Sequence, residues 1–311
     1  MHSSDAAPPP PSPAVPPASS PPAPTGGSAP APAPATATAP DPGAAGAFRT
    51  RPPAPEQAVT AEAALSIRGL RKSFSGTEVV HGISLDVPRG SFYGIVGPNG
   101  AGKTTTLSMA TGMLRPDGGT AHVAGVDMWA QPERAKAGLG VLADGLRTFD
   151  RLTGRELLTY VGLIRGMEAD TVATRTDSLL AAFDLAGEEG KLVVDYSAGM
   201  TKKILLASAL IHAPRLLVLD EPLEAVDPVS AQVIRKILTD YVRNGGTVVL
   251  SSHVMELVEG LCTHVAIIAK GELLAAGTLD EMRRGGSLVQ TFIDMVGGGA
   301  VAEGSLSWLE S

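Results

Sequence analysis

The feature that most constrains this 311-residue chain is the run Gly97-Pro98-Asn99-Gly100-Ala101-Gly102-Lys103-Thr104. It follows the apolar stretch Tyr93-Gly94-Ile95-Val96 and opens the helix-like segment from Thr104 to Met113. Every fixed position of the pattern G-x-x-x-x-G-K-[ST] is filled, between a strand and a helix, where that pattern has physical meaning. Glycines let the backbone wrap so that successive N–H groups and the positive end of the helix converge on phosphate oxygens. Lys103 adds a positive charge at the β and γ phosphates, and the Thr104 hydroxyl suits Mg2+. Gly97, Asn99, Gly100, Gly102, Lys103, Thr104 and Thr105 are therefore the expected contacts to a nucleotide such as ATP.

Only part of the chain can fold around this loop. Of its 25 prolines, 18 fall within the first 60 residues, where Ala, Ser, Thr and Gly make up most of the rest. Such a segment buries too little apolar area to offset its conformational entropy, so residues 1–60 are expected to be a disordered Pro/Ala-rich tail with polyproline II character. The remaining 250 or so residues can bury a large core as one domain or two lobes. Cys262 is the only cysteine; it can form no intrachain disulfide and anchors no zinc set, which fits a reducing compartment. No segment has about 18 to 20 uninterrupted apolar residues, so none is expected to span a bilayer. Net charge is −7, which argues against a nucleic-acid partner.

Alternation marks Leu65, Ile67, Ile83, Leu85 and Val87 as half-buried antiparallel strands. Helical spacing recurs between 151 and 212, through Leu157, Leu158, Val161 and Ile164 and then Leu179, Leu180 and Phe183, predicting a helical lobe. Fully apolar runs then return at Leu216 to Leu219, Val248 to Leu250 and Val265 to Ile268, as buried parallel strands require. The first of them ends in Asp220-Glu221-Pro222. Two carboxylates at the carboxyl edge of a parallel sheet lie where open α/β folds bind ligands. Asp220 suits the surroundings of Mg2+, and Glu221 a proton acceptor for the water that attacks a γ phosphate.

Taken together, these motifs resemble the nucleotide-binding subunit of an ATP-binding cassette (ABC) transporter over roughly residues 63 to 285. The resemblance implies an α/β fold with a P-loop NTPase core and mostly parallel sheet, an antiparallel β subdomain and a helical subdomain at about 145–212. It places the ATPase domain at 61–285 and leaves 286–311 as a short extension, in which Leu288, Phe292, Ile293 and Val296 suit an amphipathic helix. Phe74 matches the aromatic residue on which adenine stacks. Tyr196-Ser197-Ala198-Gly199-Met200 matches the family signature Leu-Ser-Gly-Gly-Gln, retaining the serine and the second glycine. Ser197 and Gly199 would then contact the γ phosphate held by an opposite subunit. His253, 33 residues beyond Asp220, matches the switch histidine, and Asp227 the aspartate that crosses the subunit interface.

The resemblance further implies ATP hydrolysis, with Lys103, Glu221 and His253 as catalytic residues, and ATP with Mg2+ as cofactors. Partners would be an integral membrane permease and a second ATPase subunit, identical or paralogous, placing the chain on the cytoplasmic face of the cell membrane. Only 58 residues follow His253, too few for the regulatory domain of many sugar importers, and Asp150-Arg151-Leu152-Thr153-Gly154-Arg155-Glu156 resembles exporter subunits that work with ABC-2 permeases. Where the family loop supplies glutamine, this chain supplies Asp144, expected to bind the metal with Thr104 and Asp220. A soluble ABC ATPase acting on nucleic acid or ribosomes is the alternative. It is disfavoured because the 94 residues from Lys103 to Ser197 hold no coiled-coil heptads.

Overall fold

The computed structural model describes residues 63–145, 149, 151–188, 190–283 and 286–297. The expected disordered tail and the last fourteen residues lie outside them. Two sheets form the frame. The first is antiparallel, ordered β2-β1-β4-β5, from β1 (Ala63–Phe74), β2 (Thr77–Pro88), β4 (Gly118–Val123) and β5 (Val126–Asp127). The second holds six strands in the order β10-β9-β3-β8-β7-β6. Its members are β3 (Phe92–Val96), β6 (Leu139–Leu142), β7 (Leu216–Leu219), β8 (Thr247–Ser252), β9 (His264–Ala269) and β10 (Glu272–Thr278). All pairings in it are parallel except that of β10 with β9.

The continuous apolar runs have a direct explanation: both faces of this sheet are covered. Phe92, Val96, Leu217, Leu219, Val248, Leu250, Val265 and Ile267 join one core with the helical lobe. Tyr93, Ile95, Leu216, Val218, Val249, Ala266 and Ile268 join the other, with β1, β2 and α1 (Lys103–Ala110). Side chains alternate between faces along a strand, so a strand buried on both sides has no polar position to show.

The helical lobe contains α3 (Gly154–Ile164), α4 (Ala169–Ala182) and α5 (Ala198–Leu210), after the short α2 (Pro132–Ala137). Thr153 and Glu156 form a reciprocal capping box that fixes where α3 begins. Leu158, Leu180 and Phe183 are fully buried, as the spacing predicts, but Ile164 is 66% exposed. It lies in the last turn of α3, on an apolar surface shared with Tyr160 and Leu163. Beyond α6 (Pro228–Arg243), α7 (Met255–Leu261) and α8 (Leu279–Arg283), the amphipathic segment forms α9 (Leu288–Val296). Leu288 is buried in the same core, its N–H donating to Glu259 Oε1 on α7 at 2.6 Å.

His212, just past α5, pins the lobe to the parallel sheet. Its Nε2–H donates to the Leu139 carbonyl at 3.1 Å, with Arg165 from the end of α3 alongside. Burial, and then the Arg165 and Arg175 guanidinium charges, hold its imidazole down at about 4, against the Leu139 hydrogen bond. The unfolded chain accepts this proton near 6.5 and the folded chain resists it until about 4. Stability from this group is thus intact above 6.5 and lost as pH falls through that window. His212→Gln keeps a donor for Leu139 and should flatten this part of the acid limb, measured as the denaturant midpoint against pH.

Candidate active site

Strands β3, β7 and β8 all end at one edge of the parallel sheet, and the groups singled out by sequence gather there. Gly97 leaves β3 so close to β9 that a Cβ on it would lie 2.1 Å from the Ile268 carbonyl oxygen, so glycine is obligatory. Gly102, at φ 98, forms the N-cap of α1 without a side-chain cap. Among the described residues, the N–H groups of Gly100, Gly102, Lys103, Thr104 and Thr105 have no acceptor. Donors left open at a helix start are what a polyphosphate satisfies. The loop therefore fits ATP. Asn99 and Thr104 are exposed at its mouth, and Thr105 is half-buried.

Lys103 is 6% exposed. Its ammonium donates to the Gly97 carbonyl at 2.8 Å and the Pro98 carbonyl at 3.3 Å, and lies 3.7 Å from Glu221 Oε1. Asp220 is buried, its N–H bonded to the Leu142 carbonyl of β6 at 2.8 Å and its carboxylate to the Ser251 hydroxyl. That hydroxyl also accepts the Glu221 N–H at 2.9 Å. One serine on β8 thus holds both acidic residues at the end of β7. Sequence inspection passes over it, since Ser251-Ser252 carries no spacing signal beyond preceding His253.

Glu221 adopts a left-handed backbone, φ 45, uncommon for a residue with a side chain. Its Oε1 lies 3.1 Å from His253 Nδ1, so the Nδ1–H tautomer donates to it. A cavity of about 580 Å3 opens beside these two groups, bounded on the far side by Pro228, Ala231 and Arg235 of α6. The structure therefore brings Lys103, Asp220, Glu221 and His253 together with the open donors of the loop.

Three expected residues, Ser197, Gly199 and Asp227, form a neighbouring cluster. Ser197 is the N-cap of α5, its hydroxyl accepting from Met200 N–H at 3.3 Å. Asp227 caps α6 by accepting from Ser230 and Val229 N–H; the Ser230 N–H and hydroxyl, and less so the Val229 N–H, hold its carboxyl below the usual carboxylate range. Gly199 is buried against Asp227 and Ser230, where a Cβ would lie 2.6 Å from Asp227 Oδ2. Among the described residues, Ser197 hydrogen-bonds within its own helix turn, to Met200 and Thr201, and not to the phosphate loop. Phe74 ends β1, 46% exposed, with Lys72 Nζ 5.7 Å from its ring centroid. Asp144, two residues past β6, is half exposed and has Lys202 Nζ at 4.0 Å. Ala225, like Glu221, takes a left-handed backbone, φ 57.

No group of three or more His, Cys, Asp or Glu side chains among the described residues could hold a metal alone. The donors fit a cation such as Mg2+, which takes most of its oxygen ligands from phosphate and water.

Comparison with known proteins agrees with this geometry. Residues 80–224 match the model of the ABC transporter family. The daunorubicin/doxorubicin resistance ATP-binding protein DrrA of Streptomyces peucetius is 36% identical over 220 residues, 71% of this chain and 67% of that protein. The Nod factor export ATP-binding protein I of Ralstonia nicotianae is 37% identical over 222 residues, 70% of this chain and 68% of that one. A solved ATP-binding subunit of an ABC transporter superposes with a TM-score of 0.70 at 25% identity, covering 74% of this chain and 98% of that one. The chain belongs to the ABC transporter ATP-binding proteins, ATPases whose hydrolysis is coupled to transport.

Removing the Ser251 hydroxyl leaves a buried carboxylate and the Glu221 N–H without their partner, a cost of about 1–3 kcal/mol for each group so orphaned. Ser251→Ala should lower the thermal midpoint modestly and ATP turnover by roughly 10-fold or more, because both acidic groups lose their register. Steady-state ATPase rates and calorimetry on the same preparation measure the two effects.

Proposed function

We propose that this chain drives export through a separate integral membrane permease, hydrolysing ATP between two ATPase subunits that are identical or paralogous. Its place would be peripheral, on the cytoplasmic face of the cell membrane, with no nucleic-acid partner. The observation that carries this reading is the convergence of Lys103, Asp220, Glu221 and His253 on unsatisfied loop donors, with Ser197 and Asp227 capping a neighbouring pair of helices. One chain thus carries one phosphate loop and one signature, and two chains head to tail complete two sites. Export is favoured by relatives whose names refer to drug resistance and Nod factor export. No helix among the described residues is long and apolar enough to cross a membrane, so the transport path is assigned to the permease.

In this reading Gly97, Asn99, Gly100, Gly102, Lys103, Thr104 and Thr105 bind the phosphates, and Phe74 stacks on the base. Ser197, Gly199 and Asp227 serve the nucleotide of the opposing subunit. Glu221 accepts the proton of the attacking water at its carboxylate, and His253 holds that carboxylate in place while sensing the γ phosphate. Thr104, Asp220 and Asp144 would hold Mg2+, which supplies charge neutralisation on the phosphates when bound.

Glu221→Gln should cut turnover on the order of 10²-fold or more while ATP still binds. Light scattering should then find the ATP-saturated variant as a dimer; a persistent monomer, or parental turnover, would overturn the assignment. Asp144→Gln should alter the Mg2+ dependence of hydrolysis, and an unchanged titration curve would remove Asp144 from the metal site. Stimulation of the ATPase by membranes containing the permease, but not by DNA or ribosomes, separates transport from the alternative.

A further inference from the structure

Glu221 is held by its backbone from two directions. Its N–H is taken by Ser251 on β8. Its carbonyl is taken from the other side by Lys202, whose ammonium donates to Glu221 O at 3.1 Å. The Lys202 side chain is 19% exposed, and its charge faces Asp144 at 4.0 Å, in the loop after β6. The two peptide groups that flank the Glu221 Cα are therefore each held by a side chain from a different element, at a residue whose left-handed backbone is not the one its chemistry prefers.

We propose that Lys202 is a positioning residue for hydrolysis: its grip on the Glu221 carbonyl keeps the Glu221 carboxylate beside His253 and Lys103, and ties that placement to the helical lobe. The inference rests on Glu221 being the proton acceptor, and deepens that reading.

The geometry supplies the reasons. A charge-assisted bond to a carbonyl at a strained φ favours that conformer over the extended or right-handed ones that glutamate adopts more readily. Without Lys202 the carbonyl keeps only the longer bond from the Glu224 N–H at 3.3 Å, a weaker hold on the backbone that places Oε1 3.1 Å from His253 Nδ1 and 3.7 Å from Lys103 Nζ. Lys202 lies on the same continuous helix as the Ser197 cap, five residues further on. Any shift of α5 that moves the Ser197 turn also moves the ammonium holding Glu221. The signature end of the lobe and the proton acceptor of the same chain are thus mechanically joined, and engagement of Ser197 with one nucleotide changes the readiness of the site built on the other. The Asp144 carboxylate faces the Lys202 ammonium at 4.0 Å, and α5 packs against β6, whose loop carries Asp144.

Full-length Lys202→Met and Lys202→Arg are compared with the parent and with Glu221→Gln. The readouts are steady-state ATPase, calorimetric affinity for a non-hydrolysable ATP analogue, and amide exchange of the segment 219–226 without nucleotide. Lys202→Met should lower kcat by roughly 10-fold, leave analogue affinity within about twofold and speed exchange in that segment; Lys202→Arg, which keeps a charged donor, should restore most of each. Parental kcat in Lys202→Met, or a fall in kcat matched by an equal fall in analogue affinity, overturns the proposal, as does unchanged exchange. Parental turnover in Glu221→Gln instead defeats the assignment of the proton acceptor, while the exchange measurement still decides whether Lys202 anchors this peptide.

Discussion

Burial of the parallel sheet on both faces is the constraint from which the site follows. With the antiparallel sheet and α1 on one side and the helical lobe on the other, β3, β7 and the middle of β8 carry only apolar residues and glycine. Chemistry is confined to the strand ends, such as Ser251, and to the residues just past them. Because these strands run parallel, their carboxyl ends share one edge, and Gly97, Asp220 and His253 arrive there together. The protein needs no long-range device to assemble its acidic and basic groups.

What remains at that edge is an electrostatic problem: a nearly buried ammonium, a buried carboxylate and a half-buried one within a few ångströms of each other. The structure solves it locally. Lys103 borrows two loop carbonyls and the Glu221 carboxylate, while the Ser251 hydroxyl serves Asp220 and the Glu221 peptide at once. Phosphate oxygens are strong acceptors for the same ammonium and for the idle loop N–H groups. Nucleotide binding is then an exchange of partners within a prebuilt frame.

Much of this was legible in the sequence because its strongest signals are local. A glycine turn between strand and helix, two acids ending an apolar run, and a histidine ending the next are contiguous patterns, and each falls where the pattern implies. The architecture was equally plain, since unbroken apolar runs have few uses besides strands buried twice over. Less accessible were features that depend on which side chain crosses to which strand. Nothing in the spelling of Ser251 separates it from Ser252, and nothing in Glu221 announces a positive φ. Lys202 reads as one of two adjacent lysines on α5, and nothing in the spelling of Asp144 sets it opposite Lys202 until the lobe packs. Ile164 fits the helical period of α3 yet faces outward, because periodicity gives the spacing of a face and not where the face ends.

Glu259 on α7 receives Arg283 and the Leu288 N–H, and α7 begins two residues after His253. A shortened chain cut at the end of the nucleotide-binding motifs would strip that carboxylate of both partners and uncover the pocket that Leu288 fills. Anyone trimming this ATPase to a minimal unit for crystallography or fusion should place the scissors beyond Val296, since α9 is a buttress for the helix that follows His253 and not a disposable appendage.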